Sequence, residues 1–269
     1  RGEVGADGTL IVHRPVPPGL NIRRRGEDAA RGERVVTNGT RILAEHIGAL
    51  LAYGVAAVDV RRLPRLRLLP TGSELRSPGK PGTGDRYDSN GPMLLAACRD
   101  LQLPASLAAP VADDLATILS AMESAEEDLL VTIGGASGGQ HDHVRQCIEA
   151  IGGRIHFHGL AMRPGKPLLF ATLPDGRAFF GLPGNPVAAL VGFRFFVLAA
   201  VRRMLGLGPE CGEPVSQLAE SRPGVSLFLR GTTDQGGNIR AADDQRSHVM
   251  RSLIAADSWL RVDRVPGGT

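Results

Sequence analysis

The chain has 269 residues, 42% of them hydrophobic and 22% charged, with a formal net charge of +3. These proportions describe an ordinary globular protein with apolar mass for a core, long enough for two domains or one large domain with appendages. They give no footing for a nucleic-acid binder built on bulk positive charge, and no apolar run nears the roughly 18 residues that mark a membrane-spanning helix.

The N-terminal stretch RGEVGADGTL lacks an apolar signal core, so neither membrane insertion nor secretion is expected and a cytoplasmic location is. Cys98, Cys147 and Cys211 are far apart, odd in number and without CxxC pairing. They read as buried or incidental thiols of a reducing compartment, not as a disulfide frame or a zinc site. Arginine is the default cation: of 31 basic residues, only Lys80 and Lys166 are lysines.

Along the chain, TLIVHRPV alternates like a strand. NIRRRGEDAARGER, residues 21 to 34, is locally basic but interrupted by acids and free of aromatics, which suits a solvated or interface face. GTRILAEHIGALLAYGV is an amphipathic helix ended by Gly54, and AAVDVRRL reads as a strand returning from it. From Pro64 the rhythm becomes strand, loop, helix. RLRLLPTGSE is a strand feeding a loop, Asp88, Ser89 and Asn90 offer caps for a helix through Leu103, ASLAAPV is a short strand, and DDLATILSAMESAEE is a helix. DLLVTIGGASGGQ is a buried strand running into a glycine loop, and DHVRQCIEAIGG is a helix closed by glycines. Strands follow near Arg154–His158, Leu168–Ala171 and Ala178–Phe180, then a helix from about Val187 to Leu205. Repeated units of this kind predict a mostly parallel sheet covered on both faces. Beyond Gly206, SLFLRG, NIRAA and SWLRVDRV are short alternating strands of a small all-β domain. The expected division is residues 1–63, 64–208 and 209–269.

In such sheets ligands collect where loops leave the carboxyl ends of the strands. PTGSEL, VADD, GGASGGQHD and GLPGNP are expected to converge there, with RPGKP at the rim. In GLPGNPVAALVGF, Asn185 suits an N-cap and Pro186 the first helical position. That leaves free N–H groups beside Gly184 for an anion, or simply makes a sound strand-to-helix connection. TIGGASGGQ either cradles an oxyanion, with Ser137 adding a hydroxyl, or is a tight turn; it is neither a dinucleotide fingerprint nor a P-loop. His141, Asp142 and His143 are adjacent, so the three cannot easily share one ion, whereas Asp142 alone suits Mg²⁺ held by one or two carboxylates and a phosphate. Asp113 and Asp114 reach the same crevice or cap the helix, and Glu74 is a site carboxylate or a first-turn acid. Arg163 and Lys166, three apart in a loop restricted by Pro164, Gly165 and Pro167, suit a polyanionic ligand.

Seven stretches in order, NIRRRGEDAARG, PTGSEL, YDSN, TIGGASGG with a following aspartate, RPGKP, GLPGNPVAA and QRSH, resemble the molybdopterin molybdenumtransferase family. These are the molybdenum insertases that include the E domain of gephyrin, and the likeness runs over roughly residues 20 to 260. It implies an α/β fold: a molybdopterin-binding-type three-layer domain with a mostly parallel sheet, a partial N-terminal α+β domain and a C-terminal small β-barrel, assembled as an elongated homodimer. It also implies a reaction in which adenylylated molybdopterin and molybdate yield molybdenum cofactor, with AMP released with Mg²⁺ help, and a molybdopterin adenylyltransferase as candidate partner.

Carried over residue by residue, the family's acidic positions fall on Asp28, Glu74, Asp113 and Asp142. Asp113, Asp142 and Glu74 would be catalytic, with Asp113 and Asp142 on Mg²⁺. Thr71, Gly72, Gly134, Gly135, Ser137, Pro183, Gly184 and Asn185 would hold the pterin phosphate. Arg163, Lys166, Arg230 and Ser247 would hold molybdate, with Pro164, Gly165 and Pro167 shaping their loop.

The chain departs from the family at several points. Ser73 stands where an aspartate is usual, Gly159 where a lysine is common, Arg163 for the first lysine of its loop, and Ala188 for a serine. Family members also carry roughly a hundred further N-terminal residues, about one domain. These departures leave an alternative in a different class, a catalytically weak scaffold that dimerises and binds pterin or protein partners.

Overall fold

The computed structural model describes residues 2–15, 17–76, 79, 84, 86–135, 143–214 and 222–263. The chain forms two compact units, Arg1–Val58 and Asp59–Thr269. In the first, β1 (Gly2–Val4) pairs antiparallel with β2 (Leu10–Val12), bringing Glu3 opposite Ile11. Helix α1 (Ala44–Ala52) follows and stops at Tyr53, where Gly54 adopts a φ of +81°. Leu50 is the one buried residue of α1, while Ile47 and Leu51 are exposed.

The strand expected over AAVDVRRL is not formed. Side chains anchor this stretch instead of a ladder. Arg62 places both terminal nitrogens on Asp128 at 2.7 and 2.8 Å, and Arg61 donates to the Met204 carbonyl at 3.2 Å.

The second unit runs β3 (Leu66–Pro70), β4 (Leu75–Arg76), β5 (Arg86–Tyr87), α2 (Asn90–Asp100), β6 (Ala105–Leu107), α3 (Leu115–Glu123), β7 (Leu129–Ile133) and α4 (His143–Ala150). It continues with β8 (Arg154–His158), β9 (Met162–Arg163), β10 (Leu169–Thr172), β11 (Ala178–Leu182), α5 (Pro186–Gly192), a π-helical segment (Phe193–Val197) and α6 (Leu198–Met204). It closes with β12 (Ser226–Thr233), β13 (Ile239–Ala241), α7 (Arg251–Ala255) and β14 (Ser258–Val262).

Six strands form the main sheet in the order β6-β3-β7-β11-β10-β8. The first four are parallel, and β10 and β8 add antiparallel. Successive side chains of a strand face opposite ways, so a strand covered on both sides must be apolar throughout. β7 follows this at all positions but the buried Thr132: Leu129, Val131 and Ile133 join one core with α2, α5 and the π segment, while Leu130 joins another with α3 and α4. Phe180 and Phe179 divide in the same way. The result is a three-layer α/β unit, as the repeated strand–helix rhythm predicts.

The eight-residue β12 centres a four-stranded sheet. It pairs antiparallel with β13 and β14 and parallel with β9, which the loop after β8 contributes. The C-terminal strands are thus stitched to the middle of the chain. Phe195 and Phe196 of the π segment meet Phe228 of β12, at ring distances of 4.6 and 6.3 Å.

Candidate functional site

The carboxyl ends of the parallel strands are clipped together by backbone hydrogen bonds. Past β3, the Thr71 amide donates to the Ile133 carbonyl at 3.0 Å and the Gly72 amide to Val111, also at 3.0 Å. Past β7, the Gly134 amide donates to the Leu182 carbonyl of β11 at 2.9 Å. Four loops are thereby held at one edge of the sheet, around a cleft of about 480 Å³.

Its lining draws on each loop. Thr71, Gly72 and Glu74 follow β3, Asp113 follows β6, Gly134 and Gly135 follow β7, and Pro183, Gly184, Asn185 and Pro186 follow β11. Pro167 completes the set of expected residues, and His248 reaches in from the C-terminal segment. Glycine is required at two of these places. At Gly134 (φ +102°) a Cβ would lie 2.6 Å from the Thr71 carbonyl oxygen, and at Gly135 (φ +67°) 2.9 Å from Thr71 Oγ1. The loop passes so close to Thr71 that only a bare backbone fits.

Three polar features face this space. Thr71 is 4% exposed and its Oγ1 has no partner. The carboxylates of Glu74 and Asp113 make no hydrogen bond or ion pair among the described residues. Asp113 is instead fixed through its backbone, whose N–H donates to Ser73 Oγ at 3.0 Å. Ser73 therefore couples the loop after β3 to the loop after β6, a role its hydroxyl can fill and a repelled carboxylate beside Asp113 would fill less well. Asp114 caps α3, accepting from the Thr117 N–H at 2.9 Å; that bond holds its carboxyl below the usual range, with His143 adding to it. The two neighbouring aspartates thus divide the tasks, one capping and one lining.

The helix start after GLPGNP differs from expectation in one respect. Asn185 stands at the N-cap and Pro186 at the first helical position, but the Asn185 side chain makes no capping bond. The Ser247 carbonyl accepts from the Val187 N–H at 3.1 Å, and Asn90 Nδ2 donates to the Gly184 carbonyl at 2.7 Å. The Asn185 amide is left exposed to the cleft.

The remaining expected residues are placed elsewhere. Arg163 and Pro164 line a second cleft of about 460 Å³ with Arg222 and the 243–246 loop. Gly165, Lys166, Arg230 and Ser247 are not among the residues lining either cleft, and Lys166 is exposed. Arg230 is fully buried. Its Nη2 donates to the Asp244 carbonyl at 2.6 Å, while Nε and Nη1 have no partner. Burial pushes its pKa down from the ordinary arginine value, with the Asp244 charge opposing. Asp28 belongs to the first unit, paired with Arg23. Ser137 and Asp142, with His141, lie outside the described residues. Among the described residues no cluster of three potential metal ligands occurs.

Arg86, Tyr87, Asp88, Ser89, Asn90 and His248 also line the main cleft. The sequence offered Asp88 to Asn90 as caps and as part of the family-like stretch YDSN, without assigning them a place in the site. Asp88 does cap α2, accepting from the Gly91 N–H at 2.9 Å, but the face of this turn is also a wall of the cleft.

Fold and cleft together define a class: an α/β sheet covered on both faces, with a crevice at its switch edge and a C-terminal β sheet laced to it. Comparisons with known proteins narrow the class. A family model described as a probable molybdopterin binding domain matches residues 67–203, about half of the chain, and one for the MoeA N-terminal region (domain I and II) matches residues 2–54. Molybdopterin molybdenumtransferase 2 of Mycobacterium tuberculosis is 32% identical over 271 residues, covering 96% of this chain and 67% of that protein. Molybdopterin molybdenumtransferase of Staphylococcus aureus is 34% identical over 201 residues, covering 74% of this chain and 48% of that one. The crystal structure of a molybdopterin biosynthesis moeA protein from Pyrococcus horikoshii superposes with a TM-score of 0.77 at 28% identity, over 97% of this chain and 66% of that chain. The chain belongs to the molybdopterin molybdenumtransferase family.

Proposed function

We propose that this chain acts in molybdenum cofactor biosynthesis, inserting molybdate into adenylylated molybdopterin with release of AMP. The observation that carries the reading is the convergence of Glu74, Asp113 and the unpartnered Thr71 hydroxyl beside the Gly134–Gly135 backbone. Free carboxylates beside a bare glycine backbone suit a phosphoanhydride accompanied by a divalent cation: the carboxylates would take the cation while the Gly134–Gly135 backbone lets phosphate oxygens approach closely.

Mg²⁺ fits the donor set, because that ion needs only one or two protein carboxylates when a phosphate supplies the rest. Asp113 would hold it, with Asp142 by family likeness and Glu74 lining the same cleft, and the ion would supply charge neutralisation at the phosphoanhydride. The chain's own residues then orient the ligand. Thr71, Gly72, Gly134, Gly135 and Asn185 bind the pterin phosphate, with Ser137 assigned there by family likeness, and Pro183 and Gly184 form a rigid wall. Arg163, Lys166, Arg230 and Ser247 supply the oxyanion contacts for molybdate. Arg230 is assigned there by family likeness; where it stands it is fully buried, with two nitrogens lacking partners.

The working form is a homodimer in the cytoplasm with the C-terminal strands as a small barrel, and it receives its substrate from a molybdopterin adenylyltransferase. The exposed Ile47 and Leu51 of α1 support self-association through the first unit, and three free thiols support a reducing compartment.

The test is Asp113→Asn. It keeps the backbone N–H that binds Ser73 and removes the charge, so AMP release should fall at least about a hundredfold while ligand binding changes little. Equal activity in the variant would refute the assignment. One observation favours the scaffold reading: Ala188, buried at 3% exposure beside the helix start, offers no hydroxyl where the family has one. Pterin binding by the wild-type chain without any AMP release would select it.

A further inference from the structure

The lining of the main cleft carries an imbalance of charge. Among its described residues, Glu74, Asp88 and Asp113 are acidic and Arg86 is the one arginine or lysine. Asp88 spends one carboxylate oxygen on the Gly91 N–H, but Glu74 and Asp113 are uncompensated. A polyanionic ligand entering such a space meets repulsion from the walls unless a fixed cation receives it.

Arg86 has the geometry for that task. It belongs to β5, where the Leu75–Arg86 and Arg76–Tyr87 pairs tie it to the strand next to Glu74. Its own N–H donates to the Glu74 carbonyl at 2.8 Å, and two residues on, the Asp88 N–H donates to the Arg76 carbonyl at 2.9 Å. The backbone of Arg86 is therefore pinned to the loop that carries the Glu74 carboxylate. Arg86 is among the residues that line the cleft, is exposed, and its guanidinium makes no hydrogen bond or ion pair among the described residues. Several other arginines of the chain are engaged with carboxylates instead: Arg62 with Asp128, Arg177 with Asp175, Arg194 with Glu210, and Arg246 with Asp244. A free guanidinium beside an open polar cleft presents its planar fork to phosphate oxygens, which it binds bidentately.

We infer that Arg86 is a specificity-determining residue that grips the phosphoanhydride end of the ligand, selecting the adenylylated pterin over uncharged pterin analogues. The inference rests on the proposed reading of the cleft and assigns the recognition of its anionic substrate to a residue the family likeness does not supply. It also accounts for how the cleft accepts a polyanion although Gly159 stands where a lysine is common in the family.

The experiment measures equilibrium binding of adenylylated molybdopterin to the full chain, as wild type, Arg86→Gln and Arg86→Lys, at low and high salt, with circular dichroism verifying the fold. Arg86→Gln should weaken binding about tenfold and flatten the salt dependence, whereas Arg86→Lys, which restores the charge without the fork, should recover the salt dependence and only part of the affinity. A wild type that binds tightly with Arg86→Gln unchanged overturns the role of Arg86 and leaves the reading of the cleft intact. A wild type that does not bind at all overturns both. A smaller loss in Arg86→Lys than in Arg86→Gln supports the cationic role, and equal losses in both with an unaltered dichroism spectrum and wild-type salt dependence contradict it.

Discussion

At the residue scale, the cleft is built by exclusion as much as by contact. Gly134 and Gly135 are left-handed and press on Thr71, so a methyl group at Gly134 has nowhere to go. Gly134→Ala should cost about 2 kcal/mol or more, from backbone strain plus displacement of Thr71. Gly152, also left-handed (φ +75°) but with nothing within 4 Å of an added Cβ, is the control, and Gly152→Ala should cost only about 1 kcal/mol. Urea midpoints of the two variants distinguish a crowded glycine from a merely left-handed one. Asn185 makes the complementary case. Its side chain does not cap α5, so Asn185→Ala should leave stability within about 0.5 kcal/mol while weakening ligand binding severalfold. A stability loss typical of a lost cap would show instead that the residue serves the helix. Ser73 acts between loops. Ser73→Ala should cost about 1 kcal/mol in unfolding free energy, because it leaves the Asp113 N–H without its acceptor.

At the element scale, what the sequence shows well is whatever local pattern alone decides. β7 and β11 are apolar at every position but Thr132 because helices cover both faces, and their runs are unmistakable in DLLVTIGG and AFFGL. The cap of α3 and the starting point of α5 are equally readable, since Asp114 and the Asn185–Pro186 pair are local signals, although the Asn185 side chain makes no capping bond. Elements that depend on distant partners were not. The β4–β5 pairing joins two-residue segments across a glycine-rich excursion, and no periodicity can emerge from two residues. The expected strand over AAVDVRRL has the composition of a strand but its arginines anchor on Asp128 and Met204, so side chains hold it outside any ladder. The long helix after Asn185 is present, yet its π-helical segment was invisible in the sequence. That segment lies where the helix changes the surface it covers, with Phe193 and Val197 in the α/β core and Phe195 against Phe228 and Trp259. The same limit applies to the site. Glu74, Asp113 and the glycine loops were readable because each follows a strand, whereas Arg86 and His248 enter the cleft only through tertiary placement.

At the scale of the whole molecule, the second unit is tied at the end opposite the cleft by Asp128. The Arg62 hydrogen bonds hold the Asp128 carboxyl well below the usual carboxylate range, with the Arg65 amide adding to them. A folded-state pKa lower than the unfolded one gives stability that is fully present above the unfolded value, about 3.9, and is lost as pH falls through the folded value. Wild type should therefore lose urea resistance below about pH 4, and Asp128→Asn should be less stable at pH 7 with a flatter acid limb. Parallel acid limbs in the two proteins would show that other carboxylates dominate acid unfolding.

The chain spans 67% of its Mycobacterium tuberculosis relative and 48% of its Staphylococcus aureus relative, so the question that matters most is whether the cleft described here works in the chain as it stands. The most direct measurement mixes the purified chain with adenylylated molybdopterin and Mg²⁺ and follows AMP release as molybdate is titrated in. The proposed function predicts AMP release that rises with molybdate and saturates, together with reconstitution of a molybdenum enzyme by the product. Bound pterin with no AMP released at any molybdate concentration would contradict it and leave the chain a pterin-binding scaffold.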